Sequence, residues 1–136
     1  MLTQPRRTKY KKLFKGKIYG IEHKANRLIY GTYGLKSLEI GRINSKQIEA
    51  VRRVISRKLK RLGKIHIRIF PNTPVTKKPI EIRMGKGKGS VDFWVAKVKP
   101  GQVLFEIQGI KDNLCLSALK SAAHKLSVLT LVVKAR

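Results

Sequence analysis

Between Asn44 and Gly63 the chain carries two opposed surfaces at the spacing of a helix. Ile48, Val51, Ile55, Leu59 and Leu62 fall on one stripe. Lys46, Arg53, Arg57, Lys60 and Arg61 fall on the opposite face, and Glu49 near the N-terminal end is the one acid of the segment. Asn44 or Ser45 stands where a cap is needed, with Gln47 three residues after Asn44 in the manner of a capping box. Gly63 is placed to close the helix as its C′ residue. The segment constrains the fold from both sides. Its apolar stripe needs a core to cover it. Its outer face sets cations three and four residues apart, and these repel one another in a free helix. Phosphates of a partner neutralise such a face, so the helix reads as a bridge between a hydrophobic core and a polyanion.

The same imbalance runs through the whole chain. Its 136 residues hold 32 Lys+Arg against 7 Asp+Glu, a formal net charge of +25, and the sequence pI is about 10.9. Hydrophobic residues still make up 42% of the chain, enough for a globular core. The length suits one domain, or one domain with a tail. Nucleic acid is the expected polyanion.

Other classes of function find little support. Cys115 is the single cysteine, so an internal disulfide framework and a multi-cysteine zinc site are excluded. His23, His66 and His124 lie far apart without metal-ligand spacing, and no metal or other cofactor is expected. His23 and His124 read as RNA-facing or solvated. No apolar run reaches the roughly 18 residues of a membrane span, so no membrane partner is expected. The opening Met1-Leu2-Thr3-Gln4-Pro5-Arg6-Arg7 lacks the apolar stretch of a signal peptide, and the product is expected to stay in the compartment where it is made. The acids are Glu22, Glu39, Glu49, Glu81, Asp92, Glu106 and Asp112, and no pair has a spacing that suggests general acid–base work. Cys115 falls on an apolar stripe and reads as a buried thiol. The chain is not expected to be an enzyme or to take a small-molecule substrate.

Along the chain, residues 1–27 read as an extended basic arm ordered by neutralisation of its charges. It carries Arg6, Arg7, Lys9, Lys11, Lys12, Lys15, Lys17, Lys24 and Arg27 with Tyr10 and Phe14 set among them. Aromatic rings in such a setting can stack on bases. Residues 28–136 read as a single α+β domain with a mixed or antiparallel sheet and two packed helices. Strands are expected at Leu28–Leu35, Ile65–Phe70, Ile80–Met84, Val91–Val98, Val103–Ile107 and Val128–Val133. Pro71, Pro74 and Pro79 suggest a stiff connection, and Pro100-Gly101 a turn after which Val103–Ile107 follows as the partner of Val91–Val98. Asp112 is expected to cap a second helix whose Cys115, Ala118, Leu119, Ala122 and Leu126 share a face. His66 sits on the polar side of its strand. Phe93 and Trp94 point to opposite sheet faces, one toward the core and one toward a partner.

The sharpest local feature is Arg83-Met84-Gly85-Lys86-Gly87-Lys88-Gly89, expected at the tip of a long loop. Glycine lets backbone approach a phosphate closely, and lysine supplies the countercharge. It is not a P-loop, because Gly89 follows Gly87-Lys88 and a strand comes next instead of a helix.

This loop resembles that of ribosomal protein sixteen of the large subunit, in its bacterial and organellar form. The resemblance extends over nearly the whole chain. It includes Pro5-Arg6-Arg7-Thr8-Lys9-Tyr10, Lys15-Gly16-Lys17, Gln47-Ile48-Glu49-Ala50, Arg52-Arg53, Gly63-Lys64-Ile65, Arg68-Ile69-Phe70-Pro71, Pro74-Val75-Thr76 and Lys78-Pro79. Trp94-Val95-Ala96, Lys99-Pro100-Gly101 and Leu104-Phe105-Glu106-Ile107 belong to it too. The family usually has Trp where this chain has His66, and residues 18–30 and 127–136 match poorly.

The resemblance implies an α+β hammerhead bound to large-subunit rRNA beside the A-site and the peptidyl transferase centre. It implies a role in positioning aminoacyl-tRNA and in completing subunit assembly. Its partners would be rRNA, A-site tRNA with P-site tRNA as a further contact, and neighbouring ribosomal proteins. The loop at residues 83–89 would face tRNA, the arm would thread into rRNA, and Arg83 is a candidate hydroxylation site. Lys outnumbers Arg 21 to 11. That bias suggests an organelle-encoded copy, with the mitochondrion favoured, or the cytoplasm of an AT-rich bacterium. A DNA-compacting protein and an RNA-modifying enzyme are the competing classes. The first is weakened by the scarcity of polar base-reading residues such as Asn or Gln on the cationic helix face. The second is weakened by the scarcity of acids and nucleophiles.

Overall fold

A computed structural model describes residues 3–135. The elements in chain order are β1 (Tyr33–Ser37), β2 (Gly41–Asn44), α1 (Ser45–Lys58), β3 (Lys64–Ile67), β4 (Thr73–Lys77), β5 (Ser90–Val98), β6 (Val103–Gln108), α2 (Asp112–Ala123) and β7 (Thr130–Lys134). The expected α+β architecture takes the form of two antiparallel sheets, one ordered β3-β6-β1-β7 and the other β2-β5-β4. Val103–Ile107 is not the partner of Val91–Val98: the turn at Pro100-Gly101 carries the chain from the smaller sheet into the larger, where β6 pairs with β1 and β3 while β5 pairs with β2 and β4. α1 and α2 pack on each other. Ile48, Val51 and Ile55 of α1 close over Leu35, Ile43, Phe105, Ile107 and Leu119 in one core. Cys115 is buried there beside Ala118 and Ala122, as the apolar stripe implied.

Asn44 is the cap of α1, and Ser45 is its first helical residue. The Lys46 amide donates to Asn44 Oδ1 at 3.3 Å, and the Asn44 amide donates to Gln47 Oε1 at 2.9 Å. The far end differs from expectation. The helix stops at Lys58, with Leu59 as C-cap, and Gly63 lies beyond it. Lys60 takes the left-handed C′ position at φ 50°, so its amide reaches Arg57 O and the Arg61 amide reaches Ser56 O. That pair of bonds is a Schellman motif built on a lysine. Lys60 and Arg61 therefore lie on the terminating turn and not on the helix face, and Leu62 is exposed.

Four further elements shift for physical reasons. The proline-marked stretch holds β4, because β4 is an edge strand where Pro74 needs no partner for a missing N–H. Ile80–Met84 alternates but forms no strand. The β4–β5 ladder ends at the Lys77–Ser90 pair, Pro79 follows, and Ile80 and Met84 stand 99% and 96% exposed. Asp112 is the first residue of α2 and not its cap; Lys111 is the cap, and the Asp112 carboxylate accepts from Lys134 Nζ at 2.8 Å. β1 begins at Tyr33 and not at Leu28, because the amides just before it are bonded elsewhere.

Their acceptor is Glu106. It lies on β6 with no exposed surface. The amides of Ile29, Tyr30 and Gly31 donate to Glu106 Oε2 at 3.1, 2.7 and 2.8 Å. The Arg68 guanidinium pairs with its other oxygen. Burial alone would push the carboxyl up, but these amides and Arg68 together hold it below its ordinary value. Gly31 is required here: a Cβ would meet Ile107 O at 2.5 Å. The residues from Glu22 to Gly31 are thereby seated on the domain, helped by the Glu22 amide donating to Pro100 O and the Val103 amide to Ala25 O.

Glu106→Ala is expected to cost about 3–5 kcal/mol in urea unfolding, since it strands Arg68 and three amides. A loss under about 1 kcal/mol would show that the arm docks without it. The folded carboxyl titrates below the ordinary 4.5, so its contribution is complete above that value and is lost as pH falls through the lower folded value. Acid sensitivity in that window should be smaller in Glu106→Gln.

Candidate nucleic-acid interface

The residues singled out in the sequence fall on the arm, on α1 with its terminating turn, and on the loop between β4 and β5. The structure brings the arm against each of the others. Thr3 borders a small cavity of 250 Å³ with Lys46, Glu49 and Arg53 of α1. Farther on, Arg42 of β2 donates to Lys15 O at 3.2 Å and to Gly16 O at 2.7 Å. Lys12 Nζ donates to Lys88 O at 2.8 Å, and Lys88 Nζ returns a bond to Leu13 O at 2.6 Å. Lys88 also lies over the Phe14 ring at 5.4 Å. The arm thus starts beside the first turn of α1, meets the Gly-Lys loop at residues 12–14 and then meets β2 at residues 15–16. Residues 3–32 contain no helix or strand, and the arm is held by these scattered bonds instead of a ladder.

The cationic side chains of the arm are exposed: Arg6, Arg7, Lys9, Lys11, Lys12, Lys15 and Lys17 all face solvent. Tyr10 is exposed under Lys9, 5.5 Å from its ring centre. On α1, Lys46 and Arg57 are exposed. Arg53 is exposed but engaged: Glu49 accepts from Arg53 Nε at 3.1 Å and from Arg52 Nε and NH2 at 2.9 and 2.7 Å. The Arg52 bond above all lowers the Glu49 carboxyl to about 2, so it stays ionised throughout the working range.

The loop tip is built from three successive left-handed residues, Gly85 at φ 90°, Lys86 at 52° and Gly87 at 82°. A Cβ at either glycine would meet open space, so backbone conformation and not crowding selects glycine there. Lys78 Nζ donates to Gly85 O and fixes the base of the tip. Arg83, Met84, Lys86 and Lys88 are exposed, and Gly89 is tucked against Lys77.

Sequence reasoning missed Arg42, which staples the arm, because β2 is only four residues long and its alternation is hard to see. It missed Lys78 as the brace of the loop. Tyr30 was also missed. Its ring stacks on His66 at 4.9 Å and 17°, and Arg68 lies over it at 5.4 Å. Phe93 and Trp94 do face opposite ways, and both are half-buried.

Residues 5–133 match the family of ribosomal protein L16p/L10e. This chain belongs to that family. A relative in Psychrobacter arcticus, named large ribosomal subunit protein uL16, is 51% identical over 133 residues, covering 98% of this chain and 97% of that protein. The protein of the same name in Sinorhizobium medicae is 52% identical over the same shares. The L16p/L10e match spans the arm, the helix and the loop, so the three cationic segments lie within the family's own boundaries.

Lys60→Gly separates the backbone from the charge in this interface. It removes a left-handed side chain that costs about 1–2 kcal/mol, partly offset by glycine's own entropy. Stability should rise by about 0.5–1 kcal/mol in urea unfolding, while the slope of log affinity for RNA against log salt should shrink by about one. An unchanged slope would remove Lys60 from the interface.

Proposed function

We propose that the chain is a structural constituent of the large ribosomal subunit that binds large-subunit rRNA. The carrying observation is the arm that joins α1 to the Gly-Lys loop in one exposed cationic surface, within a chain of this family. Residues 1–27 act as the RNA-binding arm and residues 28–136 as the domain that carries it. Arg6, Arg7, Lys9, Lys11, Lys12, Lys15 and Lys17 neutralise phosphates, with Tyr10 stacking among them. Lys46, Arg53, Arg57, Lys60 and Arg61 form a second front. Binding follows RNA shape and backbone charge and releases counterions, so it is steeply salt-dependent.

The loop at residues 83–89 is directed at A-site tRNA near the peptidyl transferase centre, with P-site tRNA and neighbouring ribosomal proteins as further contacts. Its contribution to peptide transfer is to position aminoacyl-tRNA, without any side chain entering the chemistry. Seating of the arm belongs to completion of the subunit. Arg83, exposed beside the tip, is the site proposed for hydroxylation. The lysine-rich composition supports an organellar ribosome, the mitochondrial one first, and the bacterial relatives support a bacterial one.

Sedimentation of native complexes, with this chain followed by mass spectrometry, tests the proposal. It should travel with large subunits and leave them only at high salt. Migration with DNA or as free protein would overturn the ribosomal reading. Lys86→Ala combined with Lys88→Ala should leave the fold intact and slow tRNA accommodation; normal rate and accuracy of translation would remove the loop from tRNA handling.

A further inference from the structure

The smaller sheet has two faces. One carries Ile43, Ala96 and Val98 into the core. The other carries Arg42, Val75, Phe93 and Val95, and the arm crosses above it through Leu13 and Lys15. Between sheet and arm lies a cavity of 590 Å³, within the range of about 300–1,000 Å³ typical of small-ligand sites. Its walls separate by chemistry. Phe93, Val75 and Leu13 make an apolar floor, while Lys15, Arg42 and Lys88 supply three cations. No acidic side chain among the described residues lines it. Each cation is oriented by bonds already described or borne on a segment so fixed: Arg42 holds the backbone at Lys15, and Lys88 is bonded to Leu13 O.

An apolar floor with an aromatic ring beside clustered cations is complementary to one ligand class, a flat base joined to a phosphate. We propose that this cavity receives a single unpaired nucleotide of an RNA strand, its base against the Phe93 ring and its phosphate among Lys15, Arg42 and Lys88. The strand approaches along the arm, where Phe14 stands 93% exposed beside Lys88. Unstacked bases held on aromatic rings are the usual route to RNA selectivity in single-stranded segments. The inference rests on the RNA-binding function proposed above and adds a defined seat for one nucleotide.

The test uses the full chain and a short single-stranded RNA carrying 5-iodouridine, with crosslinks mapped by mass spectrometry. The crosslink should fall on the peptide containing Phe93. Phe93→Leu should weaken binding about 5- to 150-fold, the range expected for loss of one base stack, with the salt slope unchanged. Phe93→Tyr keeps the ring and should bind as the wild type does. Thr76→Trp, at another lining position, fills the cavity and should lose the same crosslink, which guards against a folding defect in the leucine variant. Uridine 5′-monophosphate as competitor separates the sources: weak competition assigns the seat to a strand, and competition as strong as the oligonucleotide's would assign it to free nucleotide and overturn the strand proposal. Crosslinks confined to the arm and α1, with Phe93→Leu binding normally, would overturn the pocket while leaving RNA binding intact. Absence of any salt-dependent RNA binding by the wild type would instead reject the function on which the pocket rests.

Discussion

The carboxylate of Glu106 is fully buried in a chain with 32 cationic side chains. Taking such a group out of water costs several kcal/mol before any partner is counted. Three amides and Arg68 offset that cost, and they come from the two neighbours of β6 in the sheet: the amides from the entry to β1, Arg68 from the segment after β3. One side chain thereby fixes where the arm ends, where β1 begins and how β3 lies on β6. Tyr30 is held by the same contact, and through its ring so are His66 and Arg68. The path of the arm across the smaller sheet starts from this anchor.

Backbone conformation and charge pull against each other at the rim of the candidate interface. Among the described residues, Lys60, Arg61 and Lys86 are those outside glycine with positive φ. Each costs about 1–2 kcal/mol of backbone strain that glycine would avoid. All three are cations on the terminating turn of α1 or at the loop tip. The strain is therefore matched to places where a positive side chain has to project from a tight turn, which is where functional strain is commonly stored.

Sequence patterns revealed those features governed by local periodicity. The α1 stripe, its Asn44–Gln47 cap, the burial of Cys115 and the β5 and β6 segments follow from spacing of three to four or of two, but the placing of β5 and β6 in different sheets does not. Where a long-range bond decided the matter, the sequence was mute. Leu28–Gly31 has strand-like residues, but a carboxylate 75 to 77 positions away takes its amides. Ile80, Ile82 and Met84 alternate as a strand should, yet no ladder reaches them. Pro74 looked like a break because its tolerance depends on β4 being an edge, a property of the sheet and not of the residue. The cationic segments of the site were legible singly. Their union was not, because Arg42, Lys12 and Lys88 join them through backbone carbonyls that carry no sequence signature.

Those carbonyl bonds bear on how so charged a chain keeps its capacity for phosphate. Most of its few acids serve the fold. Glu49, Glu106 and Asp112 make ion pairs, and Glu22 and Glu39 accept backbone amides. None of these closes the junction of arm and loop. There the cations donate to carbonyl oxygens of Lys15, Gly16, Lys88 and Leu13. A carbonyl orients an ammonium or guanidinium group without neutralising it, and leaves its remaining N–H donors unused. A carboxylate at the same place would hold the arm more strongly and would have to be displaced before a phosphate could bind. Holding the arm by carbonyls fixes its direction while leaving the full charge free for the proposed polyanion, whose binding would supply the attraction that the chain's own acids cannot.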